Sequence, residues 1–115
     1  MFSTEHKLDG QILVFFIKGY FQDESGTSLL EKVREELTGK KLRGIVLDFS
    51  QCTSINSSGV ARLMDTSELV VLDHETDLVV CGLDKTKSSF FEMFGILELA
   101  ELKENLDGAV AYLKK

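Results

Sequence analysis

At 115 residues the chain is long enough for one compact domain and too short for two ordinary ones, and an apolar share of 43% suits a packed core and argues against disorder. A formal charge of −6 disfavours nucleic acid unless a local basic patch overcomes the field, and the one such cluster, Lys40, Lys41 and Arg43, reads as a solvated turn. The longest unbroken apolar run, residues 12–17, falls far short of the roughly 20 residues a membrane helix needs.

The first ten residues, MFSTEHKLDG, lack the apolar segment of a signal peptide, so the chain is expected in the cytoplasm. Residues 1–6 alternate loosely and predict an edge strand. Asp9-Gly10 is a strong hairpin signal. Residues 12–18 then predict a strand apolar on both faces, as a central strand covered by other layers would be.

A polar stretch, 22–27, reads as a loop. A helix is expected over 28–37, with Leu29, Leu30, Val33 and Leu37 on one face, Ser28 and Glu31 as a capping box and Gly39 as the stop. A strand follows at 43–49. The next helix is placed at about 58–72, with Val60, Leu63, Met64, Ser67 and Val71 on its inner stripe.

A strand is expected at 77–82 and a short helix capped by Asp84 after it. That helix carries Phe90, Phe91, Met93 and Phe94 and stops at Gly95. It cannot bury three phenylalanines on one narrow stripe, so Phe90 or Phe94 is expected to be exposed. A strand at 97–102 and a helix at 104–113, with Leu106, Val110 and Leu113 inward, end the chain. The order β-β-α-β-α-β-α-β-α implies right-handed crossovers, a mostly parallel sheet and one antiparallel edge. Cys52 and Cys81 are far apart, form no CxxC and are expected as free, buried thiols.

The junction between the 43–49 strand and its helix holds Asn56, Ser57, Ser58 and Gly59, more than a turn requires. One reading is a helix cap with a flexible entry, since Asn and Ser oxygens accept from the unpaired first-turn N–H groups. The other uses the same physics. A phosphate on a serine here would sit beside the positive helix end, tolerated by the fold and repelling whatever docks over it. Gly59, without a Cβ, lets another backbone come close.

Other chemistry finds little footing. Ser57 lies in no G-x-S-x-G elbow. His6 and His74 are the only candidate bases, and His74 lies beyond a helix spanning roughly 20 Å. No G-x-x-x-x-G-K phosphate loop occurs, no metal-ligand spacing is evident, and Asn56-Ser57-Ser58 as a glycosylation sequon is chance. No cofactor and no enzymatic activity are expected.

The segment LDFSQCTSINSSGV resembles the signature of STAS domains, specifically bacterial anti-sigma factor antagonists: Asp48-Phe49-Ser50, a short loop to Ile55, then Asn56-Ser57-Ser58-Gly59-Val60 opening a helix. IKGYFQ (17–22) is similar to the family's early strand end. LVVCGLDKTKSSFFEMFGILELAEL is similar to its late strand, short helix, glycine and last strand. The resemblance implies a single STAS domain over 1–115, α/β, with a mixed sheet of about five strands and about four helices.

It further implies a binding regulator. Unphosphorylated, such a protein holds an anti-sigma factor that is also a serine kinase. Phosphorylation of the first serine, here Ser57, ends the binding, and a PP2C-type phosphatase restores it. Asn56, Ser58, Gly59, Gln22 and Asp23 would form the contact surface. Asn56 stands where the family usually has Asp, and the family's early acidic position falls on Gln22, with Asp23 next. The alternative is a STAS scaffold without the switch, in a stress-signalling assembly or beside a lipid-transport ABC system.

Overall fold

The computed structural model describes residues 2–114. Its strands are β1 (Phe2–Asp9), β2 (Ile12–Phe21), β3 (Gly44–Ile55), β4 (Asp77–Cys81) and β5 (Glu101–Lys103), and its α-helices are α1 (Asp23–Leu37), α2 (Ser57–Ser67), α3 (Lys85–Met93) and α4 (Leu106–Leu113). They form one five-stranded sheet whose spatial order equals the chain order. β1 pairs antiparallel with β2, and the remaining pairs are parallel. The expected order of elements is the observed one. The edge strand is longer than expected, and Met1 lies outside the described residues.

Successive parallel strands added in one direction by right-handed crossovers place their helices on one face. α1, α2 and α3 accordingly pack on the face that carries Leu13, Phe15, Ile45, Leu47 and Val80. There Phe21, Phe49 and Phe91 meet in two edge-to-face contacts, at 5.6 and 5.2 Å between ring centroids. All three rings are buried. α4 covers the opposite face, where Ala109 and Leu113 meet Ile12, Val14, Val46 and Val79. Lys32 on α1 reaches the buried Thr4 hydroxyl at 2.7 Å and pins the edge strand to the helical layer.

Boundaries moved where polar residues hid regular structure. β2 continues past Lys18 because Gly19 takes φ +79°, and a register shift there carries the strand on to the buried Phe21. β3 likewise runs past Phe49 to Ile55, still paired to β2. The stretch expected as a loop at 22–27 is the first turn and a half of α1. Its capping interaction lies at Gln22 and Ser25, not at Ser28 and Glu31: the Gln22 N–H donates to Ser25 Oγ at 2.6 Å.

Helix α2 stops at Ser67, and residues 68–73 widen into a π-helical turn closed by the His74 N–H donating to the Leu69 carbonyl at 3.1 Å. Val70, rather than the expected Val71, is the fully buried residue there. The strand expected at 97–102 is a 3₁₀ turn over Ile96–Glu98, launched by Gly95 at φ +80°, and only Glu101–Lys103 pairs with β4. The last helix starts two residues later than expected, capped by Asn105, whose side chain accepts from the Gly108 N–H.

Both cysteines are free and buried. Burial, followed by the Asp48 carboxylate that hydrogen-bonds the thiol, pushes Cys81 from 9.0 up to about 12. A folded-state value above the unfolded one means that the stability tied to the neutral thiol is intact below pH 9.0 and is lost as pH rises toward about 12. Urea unfolding across that window should show a falling free energy, and Cys81→Ala should remove part of the slope.

Candidate functional site

Two helices begin side by side at the end of the sheet where β2 and β3 finish. α1 starts at Asp23, with only Gln22 between it and β2, and α2 starts at Ser57, with only Asn56 between it and β3. The Asn56 N–H donates to the Phe21 carbonyl at 3.2 Å, so the entry to α2 is tied to the last residue of β2. The structure therefore brings the 22–23 and 56–58 segments to one edge of the molecule. Gln22, Asp23, Asn56, Ser57 and Ser58 are all exposed there.

Asn56 is the cap of α2. Its side-chain oxygen accepts from the Gly59 N–H at 2.9 Å, which fills one of the donors a helix start leaves open. Ser57 and Ser58 are the first and second helical residues, and the capping duty falls on Asn56 rather than on either serine. Asn56→Ala should cost about 1 kcal/mol of stability, read from urea unfolding, with the α2 amides losing the most protection from hydrogen exchange.

Gly59 is not part of an outward-facing surface. It is buried, and a Cβ built on it would stand 2.4 Å from the Phe21 carbonyl oxygen. The close backbone that its missing side chain admits is the chain's own. Gly26 plays the matching part on α1, where a Cβ would meet Arg62 Cβ at 2.6 Å and the Gly59 carbonyl oxygen at 3.3 Å. Two glycines let α1 and α2 approach closely, and that approach sets the spacing between the two exposed segments.

Arg62 received no attention from sequence reasoning. Its guanidinium lies 3.7 Å from Asp23 and 3.3 Å from Asp65, linking the start of α1 to the second turn of α2. It follows Ser58 by four residues and shares that stripe of the helix. Ser57 shares its own stripe with Ala61 and Met64, whose Cε lies 3.6 Å from where a Cβ on Gly95 would stand, so adjacent serines lie on different stripes. The signal available in the sequence was the Ser-x-x-x-Arg spacing.

α3 is capped by Asp84, whose carboxylate accepts from the Lys87 N–H and from Lys87 Nζ, both at 2.8 Å. The bond from the Lys87 side chain, and then that from its backbone, hold the Asp84 carboxyl below its ordinary range. Farther along the helix, Phe91 is buried, Phe90 partly so, and Phe94 and Met93 are exposed, at 40% and 76%. The expected exposed phenylalanine is thus Phe94. Among the described residues, no group of three His, Cys, Asp or Glu side chains could hold a metal ion, and no helix is long and apolar enough to cross a membrane.

The STAS domain family model matches residues 4–109 of this sequence. No curated protein matches it. Among solved structures, Moorella thermoacetica RsbS S58E superposes with a TM-score of 0.84 at 19% identity, over 96% of this chain and 94% of that one. An anti-sigma factor antagonist from Mycobacterium paratuberculosis gives 0.84 at 18% identity, over 100% and 96%. The Bacillus cell fate determinant SpoIIAA in its phosphorylated form gives 0.73 at 12% identity, over 100% of both chains. At these identities the likeness is one of fold.

Proposed function

The chain belongs to the STAS domain family, and from that premise we propose that its whole length works as one anti-sigma factor antagonist. In this reading the unphosphorylated protein binds an anti-sigma factor that is itself a serine kinase. Phosphorylation of Ser57 ends the binding, and a PP2C-type phosphatase restores it. The chain acts by binding in the cytoplasm, and the chemistry belongs to its partners.

The observation that carries this reading is the placement of Ser57: exposed, first in its helix, and spared from capping by Asn56. A phosphate there adds close to two negative charges beside the partial positive charge of the helix start, so the domain accepts it. A partner laid over the same edge meets that charge directly. Gln22, Asp23, Asn56 and Ser58 are the contact residues. Gly59 supports them from behind by seating α2 on Phe21.

The test is incubation with the serine-kinase anti-sigma factors of the same genome and ATP, followed by mapping of the modified residue by mass spectrometry. Ser57 is the expected acceptor. Modification only at other positions, or none with any of those kinases, would overturn the assignment. Asn56, in place of the family's usual Asp, favours a second reading in which the domain is a scaffold without the switch. Partner binding that survives Ser57→Asp would support it.

A further inference from the structure

β3 is paired to its far end on one side only. Its contact with β2 continues to Phe21↔Ile55, whereas its contact with β4 ends at Asp48↔Cys81. The 51–55 stretch therefore has an open edge on the β4 side, and among the described residues no backbone bond from the following loop closes it. Native proteins usually cover, twist or charge such an edge, because unpaired N–H and C=O groups invite another strand.

What faces this edge is a groove of about 910 Å³, with Thr53, Ser54 and Ile55 on one wall and Lys85, Phe90 and Met93 on the other. Met93 is 76% exposed, and Phe90 stacks edge-to-face on the half-exposed Phe94 at 4.9 Å, so the α3 wall offers apolar surface to an occupant. The charge at its mouth is positive in a chain whose formal net charge is −6. Lys87 is held by Asp84, and Lys85, exposed beside it, has no ion-pair partner among the described residues.

We propose that this groove is a strand-addition site for an extended, acidic segment of a partner protein. The segment's backbone pairs with residues 51–55 of β3, its alternate apolar side chains rest on Ile55, Phe90 and Met93, and an acidic residue at its end reaches Lys85 at the mouth of the groove. Backbone pairing supplies affinity, and the apolar wall and the lysine supply selectivity. The β3 wall of the groove ends at Ile55, two residues before Ser57. A phosphate on Ser57 would then oppose the acidic segment, a linkage that rests on the phosphoswitch reading, whereas occupancy of the groove does not.

The probe is a synthetic hexapeptide of alternating glutamate and valine, titrated into the isotopically labelled protein by NMR. Its amides should shift those of residues 51–55 and of α3. A peptide with lysine in place of glutamate should bind about fivefold more weakly, and Lys85→Glu, at an exposed position, should reverse that preference. A version N-methylated on alternate residues, unable to donate to the strand edge, should lose binding. Shifts confined to other regions, equal affinity for both peptide charges, or full binding by the N-methylated peptide would overturn the proposal. No kinase or natural partner enters the measurement, so such a result would leave the assignment of Ser57 untouched.

Discussion

Gly59→Ala is expected to destabilise the domain by about 3 kcal/mol, with a fall in melting temperature of about 10–20 °C for a chain of this size. Helix propensity alone predicts the opposite sign, because alanine is favoured over glycine by about 1 kcal/mol inside a helix. The added methyl decides the outcome. It would stand 2.4 Å from the Phe21 carbonyl oxygen and 2.9 Å from its carbon, and these are backbone atoms that cannot rotate away. Relief requires α2 to lift from the end of β2, which strains the bond from the Asn56 N–H to that same carbonyl.

A control is built into the chain. Gly108 is the third residue of α4, as Gly59 is of α2, and each donates to the asparagine that caps its helix at 2.9 Å. A Cβ on Gly108 meets nothing nearer than 3.4 Å. Gly108→Ala should therefore be neutral or stabilising by up to about 1 kcal/mol. Thermal unfolding of the two variants side by side separates packing from propensity, and equal behaviour would mean that α2 does not rest on Phe21.

Under the proposed function, Ser57→Asp is expected to weaken binding to the anti-sigma factor partner by about 100-fold, since like charges brought together across an interface cost several kcal/mol. The same substitution should leave the fold intact and raise its stability by about 0.3–1 kcal/mol, because a carboxylate in the first turn complements the helix dipole. The two effects have opposite signs and are read independently, by calorimetric titration with the partner and by urea unfolding. Loss of binding with loss of stability would point to a damaged domain. Retained binding would remove Ser57 from the contact.

The order of elements was legible because each helix carries a clear apolar stripe and each strand core a run of branched or aromatic residues. The helix start at 56–58 was legible for a chemical reason: asparagine and serine in sequence are what an open helix end needs. The outer half of β3 was not. Gln51 and Ser54 are exposed and polar, so their pairing to β2 is fixed by neighbours distant in sequence rather than by their own pattern.

The start of α1 was missed for a related reason. Ser25 and Gly26 look like turn residues, yet both are buried because α2 closes over them. Arg62 escaped notice because its partner Asp23 lies on another helix. The burial of Gly59 was half legible: the need for a close backbone approach could be read from the missing Cβ, but which backbone approached could not.

Sheet order that repeats chain order also bears on how the molecule is made. Each strand finds its place beside the one synthesised just before it, so no insertion between existing strands is ever required. Growth can proceed outward from the opening hairpin as the ribosome delivers each further strand–helix unit. The seam most exposed to delay is the final one, where β5 brings only three residues to join β4.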